Sequence, residues 1–308
     1  MKKTGRTILL LMMGAVLLPA KERFQVEIYG GLSYLALSDF NLLAKSEERT
    51  NDILFVQRLL GWNGYFTNDL PEIRSAIPAG LRIKYRLSES LAVSVDLEGF
   101  RRTRDVTISG TFNVGDTYSL TQTKTYDPFR LEVRGWAVMG GLHYRRAVGR
   151  STSVEAGAAA GWARSSFDFR SSWAVAIDLI SGSFVHNSID GGLIEESGTG
   201  NGFAAKAMLR LNRAMGRRFG LFVEAAGIYC PLKSVRGSGR ETRLGIPGET
   251  TWEGEWGIKK EEIRTTWDSA TVFVPTNYWG GWAGARRDRD FVLDLSGARL
   301  SLGLYLSF

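Results

Sequence analysis

Apolar and polar side chains alternate along most of this chain, and the alternation defines its elements. Neighbouring side chains of a β-strand point to opposite faces, so a period of two marks a strand with one apolar face. The final segment is an unbroken case. Leu300, Leu302, Leu304, Leu306 and Phe308 fall on one face, with Arg299, Ser301, Gly303, Tyr305 and Ser307 on the other. The first segment sets Phe24, Val26, Ile28, Leu32 and Tyr34 against Gln25, Glu27, Tyr29 and Ser33. In the second, Leu81, Ile83, Tyr85 and Leu87 oppose Arg82, Lys84 and Arg86. After a tight Ser88-Glu89-Ser90 turn, Leu91, Val93, Val95 and Leu97 oppose Ser94, Asp96 and Glu98. These two segments predict a β-hairpin with one apolar and one charged face.

Four more strands precede the last. The fourth runs over 129–144, and its apolar phase changes near Arg134 and Gly135, which predicts a bulge or glycine kink. Beyond that point Trp136, Val138, Leu142 and Tyr144 form the apolar set. In the fifth, Val154, Ala156, Ala158, Ala160 and Trp162 oppose Glu155; in the sixth, Phe203, Ala205, Ala207, Leu209 and Leu211 oppose Lys206, Met208 and Arg210. The seventh sets Phe219, Leu221, Val223, Ala225 and Tyr229 against Glu224. Connections over 88–90, 145–151 and 212–218 are short; those over 37–77, 101–128, 165–201 and 231–290 are long. Eight antiparallel strands are expected, with ten as the alternative if 251–258 and 263–275 join them.

A closing strand that ends on an aromatic residue and completes an even number of alternating strands resembles the closing strands of bacterial outer-membrane β-barrels. In architecture the chain is similar to the small OmpA-like and OmpX-like barrels. The resemblance implies an all-β fold, an antiparallel transmembrane β-barrel, and a terminal strand read by the barrel-insertion machinery. Such barrels have short periplasmic turns and long external loops, which places both termini on the periplasmic side. Aromatic residues agree. Phe24, Tyr85, Tyr144, Phe219 and Phe308 fall near one set of strand ends, and Tyr34, Trp162, Phe203 and Tyr229 near the other, as two interfacial girdles require. The N-terminus reads as a secretory signal, with basic Lys2, Lys3 and Arg6 before an apolar stretch over 8–18 that is too short to span a bilayer. Cleavage after Ala20 leaves one barrel domain over 21–308 and an outer-membrane address.

Composition narrows the picture. With 23% charged and 44% apolar residues the chain is neither disordered nor a helical membrane protein, and no apolar run after the leader approaches the roughly 18 residues of a spanning helix. The net charge of +7 is scattered, three of it in the leader, which does not suit nucleic acid. Charge against lipid is costly, so the polar faces should line a lumen. That lumen would hold Glu27, Arg82, Lys84, Arg86, Asp96, Glu98, Glu155, Lys206, Arg210, Glu224 and Arg299, in nearly balanced signs. An interior of eight strands is just wide enough for side chains to fill, so a plug of salt bridges is expected. The alternative is a small gated pore.

The long connections carry the remaining candidates. Five of nine tryptophans, Trp252, Trp256, Trp267, Trp279 and Trp282, lie in the last one, as a binding surface or as the loop's own core. Arg101, Arg102, Arg104, Arg286, Arg287 and Arg289 are candidates to pair with lipopolysaccharide phosphates at the outer rim. Enzyme chemistry is thin. His143 has no acidic neighbour in sequence. His186-Asn187-Ser188, with Glu195 or Glu196 nearby, is similar to the His-x-Ser pattern of outer-membrane lipid A deacylases, but falls in a Gly-rich loop rather than on a lipid-facing strand. The Asp-His pair of the omptin proteases has no counterpart. No metal or cofactor motif is present, and the single Cys230 allows no intrachain disulfide. The leading expectation is a non-enzymatic envelope protein that binds through its external loops, then a narrow channel, then a lipid-modifying enzyme.

Overall fold

The structure is a computed structural model, which describes residues 23–43, 45, 62–67, 73–115, 119–181, 184–264, 269–275 and 288–308. Eight strands make its wall: β1 (Phe24–Leu35), β2 (Pro78–Arg86), β3 (Leu91–Gly115), β4 (Ser119–Ala147), β5 (Thr152–Ser181), β6 (Phe184–Ala214), β7 (Phe219–Tyr229) and β8 (Gly297–Ser307). Each pairs antiparallel with the next. β8 then returns to β1, with Gln25 opposite Ser307 and Leu35 opposite Gly297, and Phe308 N donates to Phe24 O at 2.8 Å. The ring is therefore closed, and no backbone edge is left exposed within the wall. Turns join β2 to β3, β4 to β5 and β6 to β7, each closed by a backbone bond of 2.9–3.0 Å. They lie at the end where β1 begins and β8 finishes.

The wall is apolar outside and charged inside. Ile28 and Leu302 expose 65% and 63% of their surface, whereas Glu27, Arg82, Asp96 and Glu224 expose none. Water-soluble proteins bury apolar groups and solvate charge. The reverse distribution belongs to a barrel whose outer solvent is hydrocarbon. From Leu300 to Phe308 the apolar stripe gives about 20 Å of height at the usual strand tilt, close to the apolar band of such barrels. Exposed Tyr144, Phe219 and Phe308 ring its turn end, and Tyr34, Trp136, Trp162, Phe203 and Tyr229 its other end. Phe24 and Tyr85 pack together on the turn side at 5.0 Å between ring centroids.

Two of the connections expected to be loops are strand. β3 and β4 run on as a hairpin to Gly115 and Ser119, and β5 and β6 to Ser181 and Phe184. Their registers do not slip anywhere, so the bulge expected near Arg134 and Gly135 is absent. What changes there is the environment. Inside the membrane band the outer face of β4 is apolar (Trp136, Val138), but above it the inner face is, through buried Leu131 and Val133. The apolar phase inverts because the wall passes from lipid to water while its interior passes from salt bridges to a packed core.

That core lies at the hairpin end of the barrel. Leu35, Leu37, Val133, Phe167, Leu232, Val235, Trp256, Ile258, Phe291 and Leu293 are buried together. Phe40, in a helical turn over 38–43, stacks edge-on against Phe167 at 4.9 Å and Phe291 at 5.1 Å, and Phe167 meets Trp256 at 5.1 Å. Asp39 fixes this layer by accepting two bonds from Arg289 at 2.6 and 2.7 Å and one from Val292 N at 2.8 Å. The two strands that would have made ten do form, but outside the ring. Glu249–Glu255 pairs with Arg236–Arg243 beside the β6 extension, and Gly257–Arg264 joins Ser269–Pro275 and Arg289–Asp290 in a separate sheet.

Candidate functional site

Inside the membrane band, strand alternation aims one face of every strand at the same small volume, and charge fills it. Arg82 of β2 is its hub. Its Nε donates to Asp96 of β3 at 2.9 Å, its Nη1 to Glu27 of β1 at 3.1 Å, and Nη1 and Nη2 to Glu224 of β7 at 2.7 and 3.1 Å. Arg210 of β6 donates to Glu27 at 2.5 Å and lies 3.4 Å over the Phe222 ring. Lys84 bridges Glu155 of β5 and Glu27. Lys206 bridges Asp96 and Glu98. Arg299 of β8 clamps Glu98 with bonds of 2.7 and 2.9 Å. Five carboxylates and five cations are thus joined and buried. Arg86, the remaining member of the predicted set, is half-buried toward the turn end and reaches the others by donating to Gln25, which donates to Glu27.

Several members escaped the sequence reading. Tyr29 donates to Glu98 at 2.7 Å, and Arg82 and Arg299 lie 5.1 and 5.6 Å from its ring. Its place is cleared by Gly80 directly across the β1–β2 pair, where a Cβ would come within 2.4 Å of the ring. Ser94 donates to Asp96 at 2.8 Å, and Asn212 accepts from Arg210 at 2.5 Å. The signal for all three was phase, since each shares a strand face with a charged neighbour. His143 of β4 is different. Its Nε2 lies 2.8 Å from Ser94 Oγ and its Nδ1 2.8 Å from Glu155 Oε1, and Glu155 stands on the next strand. Hydroxyl, imidazole and carboxylate in that order have the connectivity of a nucleophilic array. Here the Nδ1 contact lacks hydrogen-bond alignment, and the network itself walls the array in.

Above the charges, a cavity of about 60 Å³ separates Glu98 and Arg299 from Leu35, Phe100 and Leu295 of the upper core. It has room for a water or two.

A closed ring of eight up-and-down strands, apolar toward lipid and salt-bridged within, decides the class of fold. The fold is that of a small outer-membrane β-barrel. Solved structures similar to the chain are of that class. The attachment invasion locus protein Ail of Yersinia pestis, in complex with the heparin analogue sucrose octasulfate, is 10% identical, with 93% of this chain and 99% of that one covered at a TM-score of 0.34. The outer membrane protein OprG of Pseudomonas aeruginosa is 9% identical, with 93% and 96% covered and a TM-score of 0.32. CarO of Acinetobacter baumannii is 12% identical, with 80% and 95% covered and a TM-score of 0.28. No protein-family model matches the chain. No curated protein matches it either.

Other predicted candidates are dispersed. His186-Asn187-Ser188 lies on β6, not in a loop, opposite Leu179, Asp178 and Ile177. Glu195 is nine residues farther along that strand, about 30 Å away, held by Arg240 at 2.5 Å and near Arg170 at 3.6 Å. Trp256 is in the upper core, and Trp252 covers Gly239 across its strand pair. Arg101 is bound to Glu132 at 2.7 Å and Arg289 to Asp39, while Arg102 and Arg104 share the inner face of β3 with Glu98. The leader over 1–20, Trp267, Trp279, Trp282, Arg286 and Arg287 lie outside the described residues.

Proposed function

We propose that this protein is a sealed, non-enzymatic barrel of the outer membrane that supports the envelope and uses its external sheet as a binding surface. The carrying observation is the double closure of the bore. Arg82 is fully buried and joined to three carboxylates from three other strands, and the apolar layer of Phe40, Phe167, Trp256 and Phe291 lies above it. An ion crossing this bore has to break buried pairs whose loss costs about 3–5 kcal/mol each. The hairpin end faces the outside, since long extensions are external in such barrels. Lipid and lipopolysaccharide surround the wall, and the terminal strand addresses the insertion machinery.

A channel is the competing reading, and planar-bilayer recording of the refolded protein separates the two. The expected trace stays at baseline across the usual voltages. Stable conductance steps that scale with protein added would overturn the sealed reading.

A further inference from the structure

Above the wall the sheet does not close. β6 pairs with β7 from Ala205 to Ala214, but farther up it pairs with Arg236–Arg243, and that strand with Glu249–Glu255. There the order of strands ends. Among the described residues no strand lies beyond Glu249–Glu255, and no other backbone bond reaches it. Free edges template strand addition, and proteins usually blunt them with charged side chains, lysine above all, or with proline or a bulge, so the three glutamates here repel acidic strands and leave the edge open to a basic one. The segment Glu-Thr-Thr-Trp-Glu-Gly-Glu has no lysine and no proline, and its register against Arg236–Arg243 runs without a slip.

Its side chains state what would fit. Glu249, Thr251, Glu253 and Glu255 share the outer face. Glu255 is held by Arg236 at 3.0 Å. Arg240, beside Thr251, is held by Glu195. Glu249 and Glu253 are in no salt bridge among the described residues, although Glu249 feels the field of Arg240. Both line an open cavity of about 770 Å³ whose charged lining is mostly acidic, with Glu132, Asp168, Glu195 and Glu196 against Arg130, Arg170 and Arg240. Two acids four positions apart on one strand face stand about 13 Å apart. A second copy of the same edge is a poor occupant. Antiparallel self-pairing centred on Trp252 sets Glu249 against Glu255, and like charges directly opposite destabilise a pair.

We propose that Glu249–Glu255 is a strand-addition site for an extended peptide segment of a partner protein carrying two cationic side chains four residues apart. Backbone bonds to the free edge supply affinity, and Glu249 and Glu253 select the register. The proposal rests on the external sheet being a binding surface, the second half of the function proposed above.

The test uses the refolded full chain in neutral detergent and fluorescence anisotropy. The probe is a labelled nine-residue peptide of alternating threonine and valine with lysine at its third and seventh positions. The control carries glutamate at both. The lysine peptide alone should bind, and E249K/E253K should weaken it about tenfold or more. Of Thr250→Pro and Thr251→Pro, the one whose N–H faces the free edge should also weaken it, with heat-modifiable gel mobility unchanged. Equal binding of both peptides, no binding of either, or binding untouched by E249K/E253K would overturn the site. Bilayer recording of the same preparation keeps the two proposals apart. A sealed barrel that ignores the peptide overturns the edge alone, and a conducting one overturns the seal whatever the peptide does.

Discussion

Arg82 decides more than any other single residue. It is fully buried and holds Glu27, Asp96 and Glu224; without it Glu27 keeps Lys84 and Arg210 and Asp96 keeps Lys206, but the remaining ion pair of Glu224 among the described residues is with Arg299 at 3.9 Å. Breaking one side of a buried pair typically costs about 3–5 kcal/mol because the other charge stays uncompensated. Arg82→Met should therefore lower the temperature at which the unheated gel band converts to the unfolded one. Arg82→Met/Glu224→Gln should recover part of the loss, because it removes one stranded charge with its partner. An unchanged conversion temperature in the single variant would mean that water or a counter-ion already neutralises the site. At this scale the sequence was legible wherever phase alone decides. Glu27, Arg82, Asp96 and Glu224 share the buried strand face, since a period of two leaves only two directions. His143 was not legible, because the acid beside it comes from the adjacent strand through a register that no local pattern records.

The hairpin extensions show why strands can read as loops. Expecting apolar side chains to stay on one face, the pattern finds a break at Arg134 and Gly135, where the structure has continuous strand. The missing information was the height of the membrane, which inverts the apolar face without disturbing the backbone. One residue on the inverted face has an unusual charge state. Glu196 of β6 is buried beside Phe169, Gly239 and Trp252, and burial pushes its carboxyl up from 4.5 to about 8, with the Trp252 indole opposing. The folded extension therefore keeps a proton that the unfolded one loses. Its stability is full below about pH 4.5 and falls as pH rises toward 8, by about 1.4 kcal/mol per unit in that window. Glu196→Gln should remove this dependence. Hydrogen exchange of peptides covering 192–199 should quicken from pH 5 to 8 in the parent, beyond the intrinsic rise, and not in the variant. Equal slopes in both would show that Glu196 ionises freely.

For the whole molecule, the charged layer and the apolar layer differ in what sustains them. The network draws on all eight strands, so it is sustained by ring closure itself. The upper layer draws on the connections between them, on Phe40, Trp256 and Phe291 packed against Phe167 of the wall. Losing apolar packing there leaves a void, whereas losing a lumen charge leaves an unpaired ion. A cavity of about 60 Å³ lies between Glu98 and Arg299 of the network and Leu35, Phe100 and Leu295 of the upper layer, while Met139 and Met208 on the inner face of the wall belong to the upper core. A Phe167→Ala/Phe291→Ala variant should lose about 3–5 kcal/mol per ring from the upper layer. Proteolysis should then cut the connections over 230–235 and 289–295 faster, while the barrel stays heat-modifiable and its bilayer trace stays at baseline. Conductance in that variant would move the seal from the charges to the aromatic layer, and the network would then be a scaffold for the wall rather than its plug.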